Sequence, residues 1–287
     1  MPRLGAHLSA AGGWHRAVEA AAQLGCESVQ LFLRPPGRWE LPARASSQVE
    51  AFRAALASSP VAGAVFAHAP YLVNLASADP GLASRSVLLL VEELALAREL
   101  GLAGVVVHPG SGGRGFRRDA AARARARLEE VLARAPSDVP LILENTAGAG
   151  GLLAPRIREL RDLGEPSWWR DRRLGVCLDT AHLWAAGYDL LGGGWEDVWD
   201  ELDQAELTSA LMVLHINDTP EALGSGRDRH APPGEGVLGQ RFFANLLTDP
   251  RLGKVPCVME IPPGPHNRKV EEALARVRSW QQPRAGL

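Results

Sequence analysis

The chain has 287 residues, with 31 basic against 33 acidic side chains, a formal charge of −2 and 46% hydrophobic residues. That balance excludes a disordered chain and a generally basic nucleic-acid coat, while leaving local patches of charge open. No apolar run reaches the roughly 20 residues a membrane helix needs, and no signal-peptide stretch follows Met1–Gly5, so a cytoplasmic protein without membrane attachment is expected.

In chain order, short apolar runs alternate with longer amphipathic ones. The strand-like runs are Leu4–Leu8, Ser28–Phe32, Val65–His68, Gly104–His108, Pro140–Glu144, Leu174–Asp179, Leu211–Asn217 and Val255–Glu260. The helix-like stretches between them are Trp14–Leu24, Ser46–Ala57, Leu82–Leu100, Ala120–Ala135, Leu152–Leu163, Trp195–Glu206, Gln240–Leu247 and Lys269–Trp280. Helical spacing places Ala17, Ala20, Ala21 and Leu24 on one face of the first. Asp119 reads as an N-cap and Gly101 as a helix stop. Eight strand–helix units predict an α/β fold, a (β/α)8 TIM barrel formed as a single domain by residues 1–287. An open doubly wound sheet is the alternative. The Gly/Pro-rich stretches Arg34–Gly37, Pro109–Gly115, Thr219–Gly236 and Pro262–Pro265 follow strands, as loops of the functional face would. Cys26, Cys177 and Cys257 lie far apart in apolar segments and read as reduced core thiols.

Histidines and carboxylates collect where strands run out. His68, His108, Glu144, Asp179 and Glu260 end the third, fourth, fifth, sixth and eighth runs, and His215 lies near the end of the seventh. His182 follows Asp179 by three residues, and Asp228-Arg229-His230 lies in the loop after the seventh run. A barrel sends all strand C-termini to one rim. Taken singly, each residue is ordinary: a histidine after a β-branched run is more often structural, and Asp-x-His is a common turn. Together, five imidazoles and four carboxylates around one cavity demand balancing cations. Without cysteine at the rim, that donor set suits Zn2+, Mn2+ or Fe2+, and nine ligands suit two or three ions. Such a cluster activates water, neutralises a phosphate and stabilises a leaving alkoxide. The chain has neither a phosphate-binding P-loop nor a dinucleotide fingerprint. Ser111 reads as a loop-building or phosphate-contacting residue rather than a nucleophile.

At these segments the sequence resembles endonuclease IV, the zinc-dependent apurinic/apyrimidinic endonuclease family, essentially from Leu4 to Glu260. The matching blocks are Gly5-Ala6-His7-Leu8-Ser9-Ala10-Ala11-Gly12-Gly13, Tyr71-Leu72-Val73-Asn74-Leu75, His108-Pro109-Gly110-Ser111 and Glu144-Asn145-Thr146-Ala147-Gly148. They continue with Cys177-Leu178-Asp179-Thr180-Ala181-His182, Ala185-Ala186-Gly187-Tyr188-Asp189, His215-Ile216-Asn217-Asp218, Asp228-Arg229-His230 and Gly234-Glu235-Gly236. The resemblance implies three Zn2+ ions per chain, Mn2+ or Fe2+ being alternatives at one or more sites. His68 and His108 would bind the first, with Glu144 bridging to the second. Asp179, His215 and Glu260 would complete the second, and His182, Asp228 and His230 the third. Glu144 and Glu260 are the implied catalytic carboxylates, Glu260 orienting the attacking hydroxide.

The implied substrate is double-stranded DNA carrying abasic sites or blocked 3′ ends. Incision 5′ to the abasic nucleotide would leave a 3′-hydroxyl and a 5′-deoxyribose phosphate. Tyr71 matches the tyrosine that enters the duplex, with Leu72 beside it; a rim aromatic capping the core is the plainer reading. Arg34, Arg38, Arg114, Arg117, Arg118, Arg227 and Arg229 lie in or beside face loops, within reach of phosphates. Departures fall at Gly37, where the family has arginine and Arg38 comes one residue late. Gly112 and Ala231 replace frequent histidines, and Ile261 a frequent threonine. His7 reads as a rim residue or one behind the ligands, and His15 and His266 as surface residues. A monomer is expected. The rivals are a metal-dependent sugar isomerase or epimerase on a related barrel, and a catalytically silent DNA-damage binding protein.

Overall fold

The computed structural model describes residues 1–41, 45–113, 115–262, 264 and 267–281; Arg114 and His266 lie outside them. Eight parallel strands, β1 (Arg3–His7), β2 (Ser28–Leu31), β3 (Val65–His68), β4 (Gly104–Val107), β5 (Leu141–Glu144), β6 (Leu174–Asp179), β7 (Leu211–His215) and β8 (Pro256–Met259), close in sequence order into a barrel. Closure is made by β1, which pairs with both β2 and β8. That geometry requires Gly5, because a Cβ there would come within 1.8 Å of the Ser28 carbonyl oxygen.

The outer ring follows the predicted pattern. It consists of α1 (Trp14–Gln23), α2 (Ser46–Ala57), α3 (Pro80–Leu100), α4 (Arg117–Arg134), α5 (Ile157–Leu163), α6 (Pro166–Arg170), α7 (Thr180–Ala185), α8 (Gly194–Gln204), α9 (Gly239–Leu247) and α10 (Arg268–Gln281). Each long helix turns an apolar stripe onto the strands, as Trp14, Ala17, Val18 and Ala21 of α1 do. Gly101 ends α3 in the left-handed conformation at φ 76°, as its position implied. The start of α3 had no assigned signal in the sequence, yet Asp79 caps it by accepting from Leu82 N.

Two expectations need correction. Asp119 is not an N-cap: α4 starts at Arg117, so Asp119 lies in the first turn, where its charge faces the positive end of the helix dipole. Leu152–Leu163 is helical only from Ile157, because left-handed Gly150, Gly151 and Ala154 and the extended Arg156 precede the helix. The turns α6 and α7 were not foreseen, being too short for a periodic signal. Cys26, Cys177 and Cys257 are buried and free; burial pushes the Cys26 thiol up to about 11 and Cys177 up to about 12. Among the described residues, no helix is long and apolar enough to cross a membrane.

Candidate metal centre

Strand alternation builds the site. Residues two apart on a strand share a face. Phe66, Val106, Ile142, Cys177, Val213 and Val258 form a small apolar cluster inside the barrel. Two residues further along the same six strands stand His68, His108, Glu144, Asp179, His215 and Glu260. The same step on β1 and β2 leads from Gly5 to His7 and from Ser28 to Gln30, two residues that are themselves paired across the strands. Each strand thus contributes one polar side chain, at or just beyond its C-terminal end, to a ring over an apolar floor. Because the barrel is parallel, all eight emerge at one mouth.

Two further segments complete the group. β6 runs into α7 without a loop, and Asp179 caps that helix by accepting from His182 N at 2.9 Å, which sets His182 beside the ring. Asp228 and His230 come from the long connection between β7 and α9. His182 Nε2 and His230 Nε2 each lie 3.2 Å from Asp228 Oδ1.

The donor atoms form linked groups. His68, His108 and Glu144 make one; Glu144, Asp179, His215 and Glu260 a second; Asp179, His182 and His230 a third, each with its ligand atoms within 4.8 Å of one another. Glu144 Oε2 faces His68 Nε2 at 3.1 Å and His108 Nε2 at 3.3 Å. Its Oε1 faces His215 Nδ1 at 3.1 Å. Two oxygens turned to two different groups are the arrangement of a bridging carboxylate. Asp179 joins the second group to the third. Cys177 also approaches Glu144 and His215, but as a buried neutral thiol of the floor.

The imidazoles are oriented as ligands. His68 Nδ1 donates to the Ala69 carbonyl at 2.8 Å and His182 Nδ1 to the Asn145 carbonyl at 3.0 Å. His215 Nε2 donates to Gln30 Oε1 at 2.9 Å. Each ring thereby fixes its proton on the outer nitrogen and turns the other lone pair inward. His182 Nε2 and His230 Nε2 are buried without a hydrogen-bond partner, although Asp228 is close. Lone pairs converging without hydrogen-bond geometry, next to carboxylates buried to 0% exposure at Glu144 and Asp179, fit divalent cations coordinated by nitrogen and oxygen.

The electrostatics agree. Burial alone pushes the Glu144 carboxyl up, but His108, His215 and His182 outweigh it and hold it well below the carboxylate range. Glu260 is likewise held low by His215 and His7 against burial. Burial lowers His182 and His215, yet Asp179, Asp228 and Glu144 around the first and Glu260 and Glu144 around the second raise both well above the usual value. His230 is raised to about 9, Asp179 and Asp228 overcoming its burial. Protons on these rings occupy the electrostatic place of cations.

Amides that the sequence did not single out support the ring. Gln30 Nε2 donates to Glu260 Oε1 at 2.6 Å. Asn217 Nδ2 donates to Asp179 Oδ2 at 2.6 Å, while its Oδ1 accepts from Glu260 N at 2.8 Å. Asn145 Oδ1 accepts from Asp179 N at 2.7 Å. Asn145 and Asn217 lie within quoted motifs, one residue from a ligand or two; Gln30 had no signal beyond its place on a strand. His7 Nδ1 lies 3.8 Å from Glu260 Oε1 and lines the same cavity, so it stands on the rim beside the ligands.

The mouth opens into a cavity of about 990 Å3, lined on the rim by Ser9, Phe32, Tyr71, Ile261 and Pro262. Tyr71 is 75% exposed and meets Phe32 edge-on at 5.7 Å, so it stands above the core rather than capping it. Leu72 is half-buried, and Arg38 and Arg229 are exposed. Arg227 and Arg229 lean on Glu221 at 3.5 and 3.6 Å. Arg117 pairs with Glu159 at 3.0 Å. Arg34 is a correction: its side chain is fully buried on Glu93 of α3 and does not face solvent phosphates. His15 is half-buried rather than a free surface residue. Ser111 builds its loop, donating to Gly150 O and accepting from Gly113 N.

A family model described as xylose isomerase-like TIM barrel matches residues 18–280. A protein of Halorhodospira halophila named probable endonuclease 4 is 38% identical over 268 residues, covering 92% of this chain and 90% of the relative. The crystal structure of endonuclease IV from Thermus thermophilus superposes with a TM-score of 0.83 at 39% identity, over 97% of this chain and 98% of that one. A D-psicose 3-epimerase from Clostridium cellulolyticum reaches a TM-score of 0.70 over 98% of this chain and 100% of its own. At 17% identity, that last likeness is one of fold alone.

Proposed function

The chain belongs to the endonuclease IV family of xylose isomerase-like TIM barrels and is an AP endonuclease; on that premise we propose that it incises DNA 5′ to abasic nucleotides with three Zn2+ ions. In this reading His68, His108 and Glu144 would hold the first ion. Glu144 would also serve the second together with Asp179, His215 and Glu260, and His182, Asp228 and His230 would hold the third. The observation that carries it is the set of three donor groups linked through Glu144 and Asp179. A sugar isomerase needs fewer ions and has no use for His182, Asp228 and His230 as a further group. Mn2+ or Fe2+ suits the same nitrogen and oxygen donors at one or more positions.

Bound Zn2+ ions would supply charge to neutralise the scissile phosphate and lower the pKa of water at the site. The chain's own part begins with Glu260, whose carboxylate is held by Gln30 on Oε1 and lines the cavity. It orients the attacking water and accepts its proton. The water oxygen bonds to phosphorus as the bond from phosphorus to the 3′ oxygen breaks; the departing 3′ oxygen takes a proton from solvent, giving a 3′-hydroxyl and a 5′-deoxyribose phosphate. Glu144, buried beneath, keeps His68, His108 and His215 in mutual register. Tyr71 and Leu72 fill the gap left by an extruded abasic nucleotide, which costs less to flip than a stacked base. Arg38 and Arg229 meet phosphates on the exposed rim. The same site would accept blocked 3′ ends, as a monomer working in the cytoplasm.

The test combines metal analysis with nicking of a duplex carrying one abasic site. Enzyme purified without added metal is expected to hold three zinc ions and to nick; one ion per chain, or no nicking beside ketose–aldose interconversion, overturns the proposal. Glu260→Gln is expected to abolish turnover while leaving duplex binding intact.

A further inference from the structure

The segment that supplies Asp228 and His230 has no strand or helix of its own, yet it must hold two donors beside His182. At its start lies Asp218, a carboxylate with 0% exposure and, among the described residues, no cationic side chain bonded to it. Instead it accepts five backbone N–H groups. Oδ1 takes Thr219 N at 2.8 Å and Leu238 N at 3.0 Å. Oδ2 takes Gly234 N at 3.1 Å, Gly236 N at 2.9 Å and Gly239 N at 3.1 Å. The block Gly234-Glu235-Gly236, quoted in the sequence without a role, is therefore the wall of an anion nest. A Cβ at Gly236 would stand 2.3 Å from the Thr219 carbonyl and 2.4 Å from Asp218 Oδ1, so only glycine lets the backbone close on the carboxylate.

The same residue fixes the loop from its other side. Asp218 and Ala231 exchange both main-chain hydrogen bonds, at 3.0 and 2.7 Å, which places His230 one residue from a pinned point. The connection is thus drawn together by Asp218 at residue 219, at residue 231 and at residues 234–239, with Asp228 and His230 carried on the arc between. Charge-assisted bonds to backbone N–H are strong and directional, and they hold this loop as the barrel strands hold most of the other ligands.

We propose that Asp218 is the positioning residue of the third ion: its buried carboxylate, acting through the Gly234–Gly239 backbone, holds Asp228 and His230 against His182. The inference rests on the three-zinc reading above. It concerns geometry, since Asp218 itself faces backbone rather than the donor groups. Loss of a partner that orients metal ligands typically weakens affinity about 10- to 100-fold, and here the loss should fall on one ion of three.

Two variants test it without altering a ligand. Asp218→Asn puts an NH2 group against backbone donors; Gly236→Ala leaves the carboxylate and wedges the nest open. Zinc content after gel filtration, zinc affinity by competition with a chromogenic chelator, and far-UV circular dichroism are measured on the full chain beside the wild type. The expected result is that both variants keep the barrel spectrum and two tightly held ions, while the third weakens about 10- to 100-fold. Three ions held with wild-type affinity overturn the inference. So does loss of all ions, or of the fold, in Gly236→Ala, which would make the nest a general fold element. Fewer than three ions in the wild type would instead strike the three-zinc reading.

Discussion

The Arg34 guanidinium and the Glu93 carboxylate meet at 2.8 Å with both side chains fully buried. Arg34 belongs to the connection after β2 and Glu93 to the middle of α3, so the pair clamps a rim loop onto the outer helix ring. Arg34 also donates to the Trp39 carbonyl and reaches Glu92, and Arg85 of α3 lies over the Trp39 ring at 4.6 Å. The loop carrying Arg38 is thereby fixed from both ends of its turn.

Removing one partner of such a pair leaves the other buried without its counter-charge. Arg34→Met is expected to cost about 3–5 kcal/mol, whereas Arg34→Met with Glu93→Met should recover most of it. Both should hydrolyse a small phosphodiester such as bis-p-nitrophenyl phosphate like the wild type. The single variant should bind abasic duplex more weakly. Denaturation midpoints and the two assays check this; an equally unstable double variant would show that the clamp stabilises more than it costs.

Burial pushes the Glu93 carboxyl up to about 7, the nearby Arg34 charge only partly offsetting it. A raised carboxyl pKa means that the folded protein holds the proton more tightly than the unfolded chain. Its contribution to stability is therefore fully present below about pH 4.5 and declines as pH rises to about 7. A rise of that size corresponds to roughly 3 kcal/mol. Stability measured from pH 5 to 7 should fall less steeply in Glu93→Gln than in the wild type; parallel slopes would remove Glu93 from the linkage.

Gln30 spans two donors, accepting from His215 Nε2 and donating to Glu260 Oε1. Gln30→Leu frees the His215 ring to take the wrong tautomer. Metal affinity should fall about 10- to 100-fold without change in the barrel spectrum. Titration with a zinc chelator measures it, and unchanged affinity would show that His215 is oriented by packing alone.

Tyr71 stands free above Phe32, where an unstacked position in a duplex could receive its ring. Aromatic stacking on nucleic acid contributes about 1–3 kcal/mol. Tyr71→Ala should therefore weaken binding to abasic duplex about tenfold or more, with far less effect on intact duplex. Fluorescence anisotropy with the two duplexes decides, equal losses pointing to a role in packing.

The strand ends carrying donors were legible in the sequence because two constraints coincide there. Parallel buried strands must be apolar runs, so a histidine or carboxylate closing one, as at His68, His108, Glu144 and Asp179, stands out against its own strand. Asp228 and His230 lie in no strand; they enter the set as a weak Asp-x-His signal in the loop after the seventh run, and their grouping with His182 comes from the resemblance. Local sequence does not encode which partner faces a side chain across a closed barrel. Gln30 looks like any polar residue, Arg34 like a surface arginine, and Asp218 like a turn aspartate. Closure of β1 on β8 is what brings Gln30 to His215 and Glu260. Packing of the loop after β2 on α3 seats Arg34 in the core, and the connection after β7 folds back to wrap the Gly234–Gly239 backbone around Asp218. Those roles arise from contacts between segments up to 230 residues apart, which only the folded chain creates.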